Sequence, residues 1–346
     1  FVASNRLEKL MKLVYNKSFL FFLLVLFCGS FAFAQAEREK GIELFKQGKN
    51  KEAVAALEQT TKKTKTDAEI WNYLGLAYIK INSLKKAVKA IEKAVSLNPQ
   101  SAIYQTNLAY AYLLSNKLGK ARDESTKAIT LNPQSADAYY VRGSAAILEA
   151  KYDEAISDAD RAIAANTDYA SAYTLKSDAM LSKFGRGIGV NLKSEENSKW
   201  LTESKEVLEN CLKNCKNNSQ VQIQQERLEA VNAFYDYYSR RKNANLALPA
   251  AQTLPNPNVT PLRILSKPLP GYTDKAREAQ VSGSITVLVL FAGSGRVTHT
   301  IVLKGLGYGL NENTVNAAQK IVFEPAKENE KPISQIKIVE YSFKIY

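Results

Sequence analysis

The sequence predicts a multidomain protein, in which an all-α repeat solenoid is followed by a small α+β domain. Two patterns predict this architecture: a 34-residue period in the first half, and strand-like runs over the last eighty or so residues. Between them, residues 249–270 hold six of the ten prolines, a density typical of a semi-extended connector. The expected parts are upstream residues plus a signal segment (1–34), the repeat solenoid with a capping helix (35–245), a proline-rich linker (246–262) and the α+β domain (263–346).

The N-terminal residues have the pattern of an export signal. Met11 is the first methionine, so we expect translation to begin there. A basic stretch (12–17) precedes an apolar stretch (19–27), and a small-x-small pattern follows at 32–34. This order predicts a secretory signal peptide cleaved after that pattern. The alternative is an uncleaved anchor, since residues 18–36 carry no charge and are about long enough to span a bilayer.

The period is most visible in the asparagine-proline segment at 98–101, which recurs at 132–135 and, more weakly, at 166–169. Proline cannot continue a helix, so each copy indicates a helix end followed by a turn. Small residues recur in register, where two helices have to cross closely. They are Gly41, Gly75, Ala109 and Gly143 at one position, and Ala53, Ala87, Ala121 and Ala155 at another.

Together with Trp71, Leu74 and Tyr78, this spacing resembles the tetratricopeptide repeat. The resemblance implies two antiparallel helices per unit, stacked because a single unit cannot bury its apolar face. Four good repeats are expected over 34–169, with a degenerate fifth from Ala170.

The fifth repeat is interrupted by a glycine-rich segment, 185–189, which predicts an inserted loop because glycine disfavours helix. Without a preceding strand, a phosphate-binding role for these glycines is not favoured. A helix is expected to resume near Glu195 and to run to about Lys213. A final helix, from about 220 to 241, is expected to cap the solenoid.

The α+β domain is predicted from three patterns. Strand-like runs at 285–291 and 297–303 are joined by Gly293-Ser294-Gly295, which indicates a hairpin. Asn311 and the acid that follows it favour the start of a short helix, with an apolar stripe of Val315, Ala318 and Val322. The chain then ends in a half-buried strand, because apolar and polar residues alternate over 339–345.

Five segments of this domain resemble the C-terminal domain of the TonB energy-transducer family. They are 268–277, Gly283, 293–297, 307–310 and 323–326, in the family's order and spacing. The sequence departs from the family at Thr273, where many members have proline. The resemblance implies a three-stranded antiparallel sheet with two helices. It also implies that the last strand pairs with a short extended segment, the TonB box, of outer-membrane receptors.

Two sets of partner-binding residues follow from these resemblances. For the last strand and its neighbourhood they are Tyr272, Val339, Glu340, Tyr341, Ser342, Phe343 and Lys344, of which the aromatic side chains are expected to be core residues. For the concave groove of the repeats they are Asn72, Thr106, Tyr110 and Tyr140. Such side chains can hold an extended peptide, although a groove that serves only spacing or self-assembly is about as well supported.

The sequence shows no catalytic constellation, so an enzyme, a cofactor and a metal site are not expected. Its one histidine, His299, falls in the predicted hairpin and is expected to be a strand residue. Cys211 and Cys215 lie four apart on a predicted helix, where a disulfide, two free thiols and a bond to a partner all stay open. The net charge of +13 fits a solvated basic surface, and the export signal argues against nucleic acid.

We therefore expect a periplasmic adaptor, or one anchored in the inner membrane, that binds TonB-dependent receptors by β-strand addition and supports solute import. Envelope proteins are the expected partners of the repeats. The alternative is an envelope scaffold that uses the repeat groove without energy transduction. No histidine lies in 11–36, where classical members carry a functional one, so binding is better supported than energy transduction.

Overall fold

The computed structural model describes residues 35–190, 195–215, 218–244 and 259–345. The predictions for residues 1–34 and for most of the linker therefore lie outside the described residues. The chain forms two compact units, which divide between Val141 and Arg142. This division falls within a helix, because the last helices of the solenoid share a core with the C-terminal sheet.

The first unit is built from paired helices, as the 34-residue period predicts. They are α1 (35–46), α2 (Asn50–Lys63), α3 (Ala68–Lys80), α4 (Leu84–Leu97), α5 (Ala102–Leu114) and α6 (Leu118–Leu131), and α7 (Ala136–Leu148) crosses the division. The small residues do lie at helix crossings. A Cβ atom at Gly75 would come within 2.2 Å of Cγ1 of Ile91, so α3 can approach α4 only because that side chain is absent.

Local contacts repeat with the same period. The turns within four successive repeats place one residue in the left-handed region, at Gly48, Asn82, Asn116 and Ala150. Glycine and asparagine accept this conformation with little strain, which explains three of the four positions. Tyr112 donates a hydrogen bond to Oε1 of Glu92 at 2.6 Å, and Tyr78 and Glu58 make the same contact one repeat earlier.

The second unit begins within α7 and continues through four more helices, of which the last three are longer than those of the first unit. They are α8 (Tyr152–Ala165), α9 (Ala170–Val190), α10 (Glu195–Asn214) and α11 (Asn218–Ala244). The prediction of a loop at 185–189 is wrong, because these residues form the last turns of α9. Packing against the C-terminal sheet outweighs the poor helix propensity of glycine here. The predicted helices at 195–213 and 220–241 are confirmed as α10 and α11, with slightly wider bounds.

The C-terminal domain contains the predicted three-stranded antiparallel sheet and two helices. Its strands are β1 (Val259–Thr260), β2 (Arg263–Ser266), β3 (Gly283–Phe291), β4 (Val297–Lys304), β5 (Val322–Glu324), β6 (Ala326–Glu328), β7 (Lys331–Ile333) and β8 (Gln335–Phe343), and its helices are α12 (Asp274–Glu278) and α13 (Leu310–Ala318). The main sheet has the order β4-β3-β8, and two small antiparallel sheets, β1-β6-β7 and β2-β5, complete the domain.

The second helix of this domain starts one residue earlier than predicted. Helix α13 begins at Leu310, after Gly309 in the left-handed conformation, so Asn311 is not the capping residue. Its side-chain oxygen instead accepts hydrogen bonds from the backbone N–H groups of Leu306 and Gly307, which closes the preceding glycine-rich turn. The predicted apolar stripe was also too long, because Val322 lies on β5 and is exposed.

Both faces of the main sheet are covered, each by different elements. On one face, β3 and β8 pack against the domain's own helices. The buried residues there include Ile285, Val287, Val289, Phe291, Val339, Tyr341 and Phe343, with Leu310 and Ala318 of α13. On the opposite face, the sheet packs against the last solenoid helices. The residues there include Leu288, Leu290 and Ile301 of the sheet with Phe184, Leu201, Ala230, Val231, Phe234 and Tyr238 of the helices. The C-terminal sheet and helices α9–α11 therefore share one hydrophobic core.

Candidate protein-binding site

The last strand, β8, lies at an edge of the main sheet. It pairs with β3 in continuous antiparallel register, from Phe343 opposite Gly283 to Gln335 opposite Phe291. On its other side no described strand pairs with it, since β8 is the last strand in the order β4-β3-β8. An edge strand retains backbone N–H and C=O groups that can pair with another extended chain.

A lysine side chain reaches the outer side of this edge. Nζ of Lys267, just after β2, donates a hydrogen bond of 2.9 Å to the backbone oxygen of Glu340. The same nitrogen lies 4.6 Å from the ring centre of Tyr341. In an antiparallel strand, the N–H and C=O groups of one residue face the same side, and the side alternates from residue to residue. Because the carbonyl of Glu340 faces outward, the outward groups of β8 are those of the even-numbered residues, 336 to 342.

The predicted side chains of β8 divide between core and surface. Val339, Tyr341 and Phe343 are buried beneath α12 and α13, as expected for core residues. Glu340 and Ser342 are exposed, and so is Lys344 just beyond the strand. The buried set fixes the register of β8 on the sheet, and only the exposed set can contact a partner with its side chains.

Tyr272 supports the strand from the core side. Its ring packs edge-on against Phe343, with 5.6 Å between ring centres, and its hydroxyl donates a hydrogen bond to the backbone oxygen of Val281. The residue after it, Thr273, takes the position where many TonB sequences have proline. Its hydroxyl accepts a hydrogen bond from the N–H of Ala276 at 3.1 Å, so threonine serves as the N-cap of α12.

Three exposed apolar side chains lie close in the chain to Lys267 or to the end of β8. Leu265 and Leu269, which flank Lys267 in the chain, are 52% and 85% exposed. Ile345, just after β8, is 48% exposed. Single exposed apolar residues are ordinary, but two of these three lie two residues from Lys267 in the chain, and the third follows β8 directly.

The opposite outer strand, β4, is held by a helix. A Cβ atom at Gly185 would lie 2.2 Å from Cγ2 of Ile301 and 3.3 Å from the backbone oxygen of Val302. Helix α9 therefore lies against β4 at a distance that only glycine permits. His299 is a strand residue, as expected, and neither ring nitrogen has a described hydrogen-bond partner. Burial, aided by the guanidinium of Arg227, lowers the pKa of His299 to about 3.

The predicted groove residues of the first unit differ in their accessibility. Asn72 is buried and accepts a hydrogen bond of 2.8 Å from the amide of Asn107 in the next repeat. Thr106 is buried, and its hydroxyl donates to the backbone oxygen of Ala102. Tyr110 is 36% exposed. The polar groups of Asn72 and Thr106 are thus engaged within the repeats.

The fourth groove residue, Tyr140, is half-buried. In the second unit, equivalent positions of the fifth repeat are occupied by the chain itself. Gln224 of α11 donates a hydrogen bond of 2.8 Å to Thr174, and Arg227 forms an ion pair with Asp178. Helix α11 therefore fills the groove of the last repeat, as a capping helix does.

The two cysteines are free thiols in the structure. Cys211 and Cys215 are both buried at the end of α10, among Tyr173, Met180 and Val207. Burial raises the pKa of both thiols, which disfavours the reactive thiolate. Their environment is that of small apolar core residues.

The described residues give no sign of a metal centre, since no three side chains of His, Cys, Asp or Glu come together there in a way that could hold an ion. None of the described helices has the length and apolar content needed to cross a membrane. Lys267 is the site residue that the sequence did not indicate. Its contact with Glu340 joins residues 73 apart in the chain, so no local pattern marks it.

Comparison with known families confirms both resemblances. Residues 268–345 match the model of the Gram-negative bacterial TonB protein C-terminal. Residues 38–102 and 106–171 match the tetratricopeptide repeat. The chain therefore carries tetratricopeptide repeats and a TonB C-terminal domain, and both are domains that mediate protein–protein interactions. None of the curated proteins matches the chain.

Solved structures similar to this chain are tetratricopeptide-type proteins. The crystal structure of MamA is 24% identical and covers 50% of this chain and 95% of its own, with a TM-score of 0.43. A thermophilic TPR protein of Thermus thermophilus is 18% identical, covers 57% and 98%, and has a TM-score of 0.46. PilF of Pseudomonas aeruginosa is 13% identical, covers 62% and 90%, and has a TM-score of 0.46.

Proposed function

We propose that this protein is a cell-envelope adaptor that captures an extended segment of an outer-membrane TonB-dependent receptor by adding it as a fourth strand beside β8. The observation that carries the proposal is the position of β8 at the edge of the sheet, within a TonB C-terminal domain. The adaptor faces the periplasm, either released from its signal peptide or anchored in the inner membrane, and it supports energised solute import.

The outward backbone groups of β8 supply most of the affinity in this proposal. Main-chain hydrogen bonds give strand addition its affinity, and side chains at alternate positions give it selectivity. The side chains of Val339 and Tyr341 keep β8 in place and do not take part directly. Ile336 and Ile338, on the opposite face of β8, also hold the strand in place, because they pack against the core that includes α11. A strand held on both faces changes little on binding, which lowers the cost of ordering it.

The repeats of the first unit serve as a second interaction surface. Ile103 and Tyr110 lie seven residues apart on α5, and hence on similar sides of that helix, and they are 69% and 36% exposed. Apolar and aromatic side chains in such positions suit a peptide of another envelope protein. In this proposal the repeats gather a partner while the C-terminal edge holds the receptor.

Ser342 offers a matched pair of variants that tests strand addition. Its side chain is exposed, and its N–H faces away from β3, because it lies two residues from Glu340, whose carbonyl faces outward. Ser342→Ala keeps the N–H, whereas Ser342→Pro removes it, and proline is tolerated on the outer side of an edge strand. We expect binding of a fluorescent N-terminal receptor peptide to the full chain to be unchanged in the alanine variant. In the proline variant we expect it to weaken about five- to 150-fold, since a lost backbone partner costs about 1–3 kcal/mol.

The two Ser342 variants also define the results that would contradict the proposal. Equal binding by Ser342→Pro and the unaltered chain, with the fold of both verified by circular dichroism, would contradict pairing along β8. Peptide binding that is lost instead by Tyr110→Ala would assign the receptor segment to the repeats.

A further inference from the structure

The hydrogen bond between Lys267 and Glu340 is an unusual use of an ammonium group. It joins a charged donor to a neutral backbone oxygen at the edge of a sheet, at 2.9 Å, while the ring of Tyr341 lies 4.6 Å from the charge. Among the described residues, no carboxylate pairs with this ammonium. The contact therefore satisfies the outer carbonyl of Glu340 in the absence of a partner, and leaves the charge of Lys267 without an opposite charge.

An added strand would compete with Lys267 for the same oxygen. The carbonyl of Glu340 faces outward, so a fourth strand has to place one of its own N–H groups there. The ammonium would then be displaced, although it stays nearby because its backbone is fixed by the pairing of β2 with β5. Its next favourable partner is a carboxylate carried by the incoming strand.

Other charges at this edge favour the same kind of partner. Among the described residues, Lys337 lies on β8 and Lys344 just beyond it, and with Lys267 these cations outnumber Glu340, the one acidic side chain of β8. The apolar side chains of Leu265 and Leu269 border the cap on both sides in the chain, and both are exposed. An acidic group flanked by apolar residues complements this surface.

We propose that Lys267 is a displaceable cap on the β8 edge that selects extended segments carrying a carboxylate beside the residue that pairs with Glu340. The occupant is an extended peptide with an acidic side chain and apolar neighbours. This inference rests on the proposed function, and it adds the chemistry by which one strand is preferred over another. A lysine ammonium at a free sheet edge also disfavours pairing with unsuitable strands.

Two peptides and two variants of the full chain test the cap. The probes are an extended peptide of alternating valine and threonine with one central glutamate, and the same peptide with glutamine in its place. We expect the unaltered chain to bind the glutamate peptide about two- to fivefold more tightly, the range of an exposed ion pair. Lys267→Met keeps the length of the side chain and removes its charge, and it should bind both peptides equally. Lys320→Met, which removes another exposed lysine, should keep the preference.

Four results would overturn the inference. A preference for glutamate that persists in Lys267→Met would assign the selection to another cation. Equal binding of both peptides by the unaltered chain would contradict selection while leaving strand addition intact. Failure of both peptides to shift the backbone amides of 335–344 in any variant would overturn the proposed function as well. Dimerisation of Lys267→Met, measured by sedimentation, would assign the edge to a second copy of the chain.

Discussion

The two outer strands of the C-terminal sheet are protected in different ways. On one side, β4 lies against α9 so closely that only a glycine, Gly185, fits at the crossing. On the other side, β8 is covered at Glu340 by a single lysine side chain. The first contact can be opened only by separating two folded elements, whereas the second requires a rotation of one exposed side chain. The sheet thus has a fixed side and an exchangeable side.

The fixed side explains why an edge strand can be exposed without weakening the domain. β3 is buried on both faces, by the domain's own helices and by helices α9 and α11. An isolated three-stranded sheet would leave Leu288, Leu290 and Ile301 exposed to water. Helices α9–α11 therefore support the C-terminal sheet, and the two form one folded unit.

The largest expected effect comes from removing a side chain of the shared core. Phe234 of α11 is fully buried there, whereas its neighbour Tyr235 is 40% exposed. Phe234→Ala should destabilise the second unit by about 3–5 kcal/mol, as buried phenylalanine truncations do. Tyr235→Ala should cost less than about 1 kcal/mol.

Urea unfolding followed by the fluorescence of Trp200, in a Trp71→Phe background, isolates the second unit from the first. Trp200 packs against the shared core and reports its loss. Equal midpoints for Phe234→Ala and Tyr235→Ala would contradict the docking of the sheet on α11.

A smaller effect is expected at the crossing of α9 and β4. Gly185→Ala places a methyl group within 2.2 Å of Cγ2 of Ile301, an atom fixed close to the strand backbone. We expect a destabilisation of about 1–3 kcal/mol, typical of overpacking, in spite of the better helix propensity of alanine. Gly119→Ala on α6 is the matched control, because no atom lies within 4 Å of its added methyl group.

The control variant should be neutral or up to about 1 kcal/mol more stable, since alanine favours helix. Thermal unfolding by circular dichroism gives the sign of each change. If Gly185→Ala were stabilised as much as Gly119→Ala, α9 would not approach β4 as closely as the structure places it.

Over a single pH unit, the smallest effect is the loss of stability in acid on the fixed side. The native pKa of His299 is lowered to about 3 by burial and by Arg227, while an unfolded histidine titrates near pH 6.5. Below about pH 6.5 the unfolded chain binds a proton that the native chain does not, so acid weakens folding. The expected loss is at most about 1.4 kcal/mol per pH unit between those two pKa values, and it is absent above them.

His299→Leu should therefore flatten the dependence of the unfolding free energy on pH between about pH 6.5 and 4.5. Urea unfolding of the second unit at several pH values, with Trp200 as the reporter, measures the difference. The carboxylates, including Asp178 beside Arg227, titrate in both chains and cancel in the comparison. Parallel pH profiles for the two chains would show that His299 can take up a proton in the native state.

Much of this arrangement follows from sequence patterns. The period of the asparagine-proline turns predicts the paired helices, and the alternation over 339–345 predicts the half-buried last strand. The hairpin and the sheet with two helices follow from β-branched runs around a glycine turn. These features are local or strictly periodic, so the sequence carries their signal directly.

The docking of the sheet on the solenoid could not be predicted, because it joins residues far apart in the chain. The sequence predicts a loop at Gly185, since glycine has a poor helix propensity. The helix forms there because Gly185 packs against Ile301, a residue that is distant in the chain. One signal was present: the run from Ile285 to Phe291 is apolar without alternation, which indicates a strand buried on both faces. The pattern does not say what covers the second face.

Strand addition at β8 can be mapped from backbone amide shifts in the isotopically labelled full chain during titration with an N-terminal receptor peptide. We expect shifts along β8, largest at the outward residues 336, 338, 340 and 342, with little change along β4. Shifts concentrated in β4 or in the repeats, with β8 unchanged, would contradict a fixed side and an exchangeable side of the sheet.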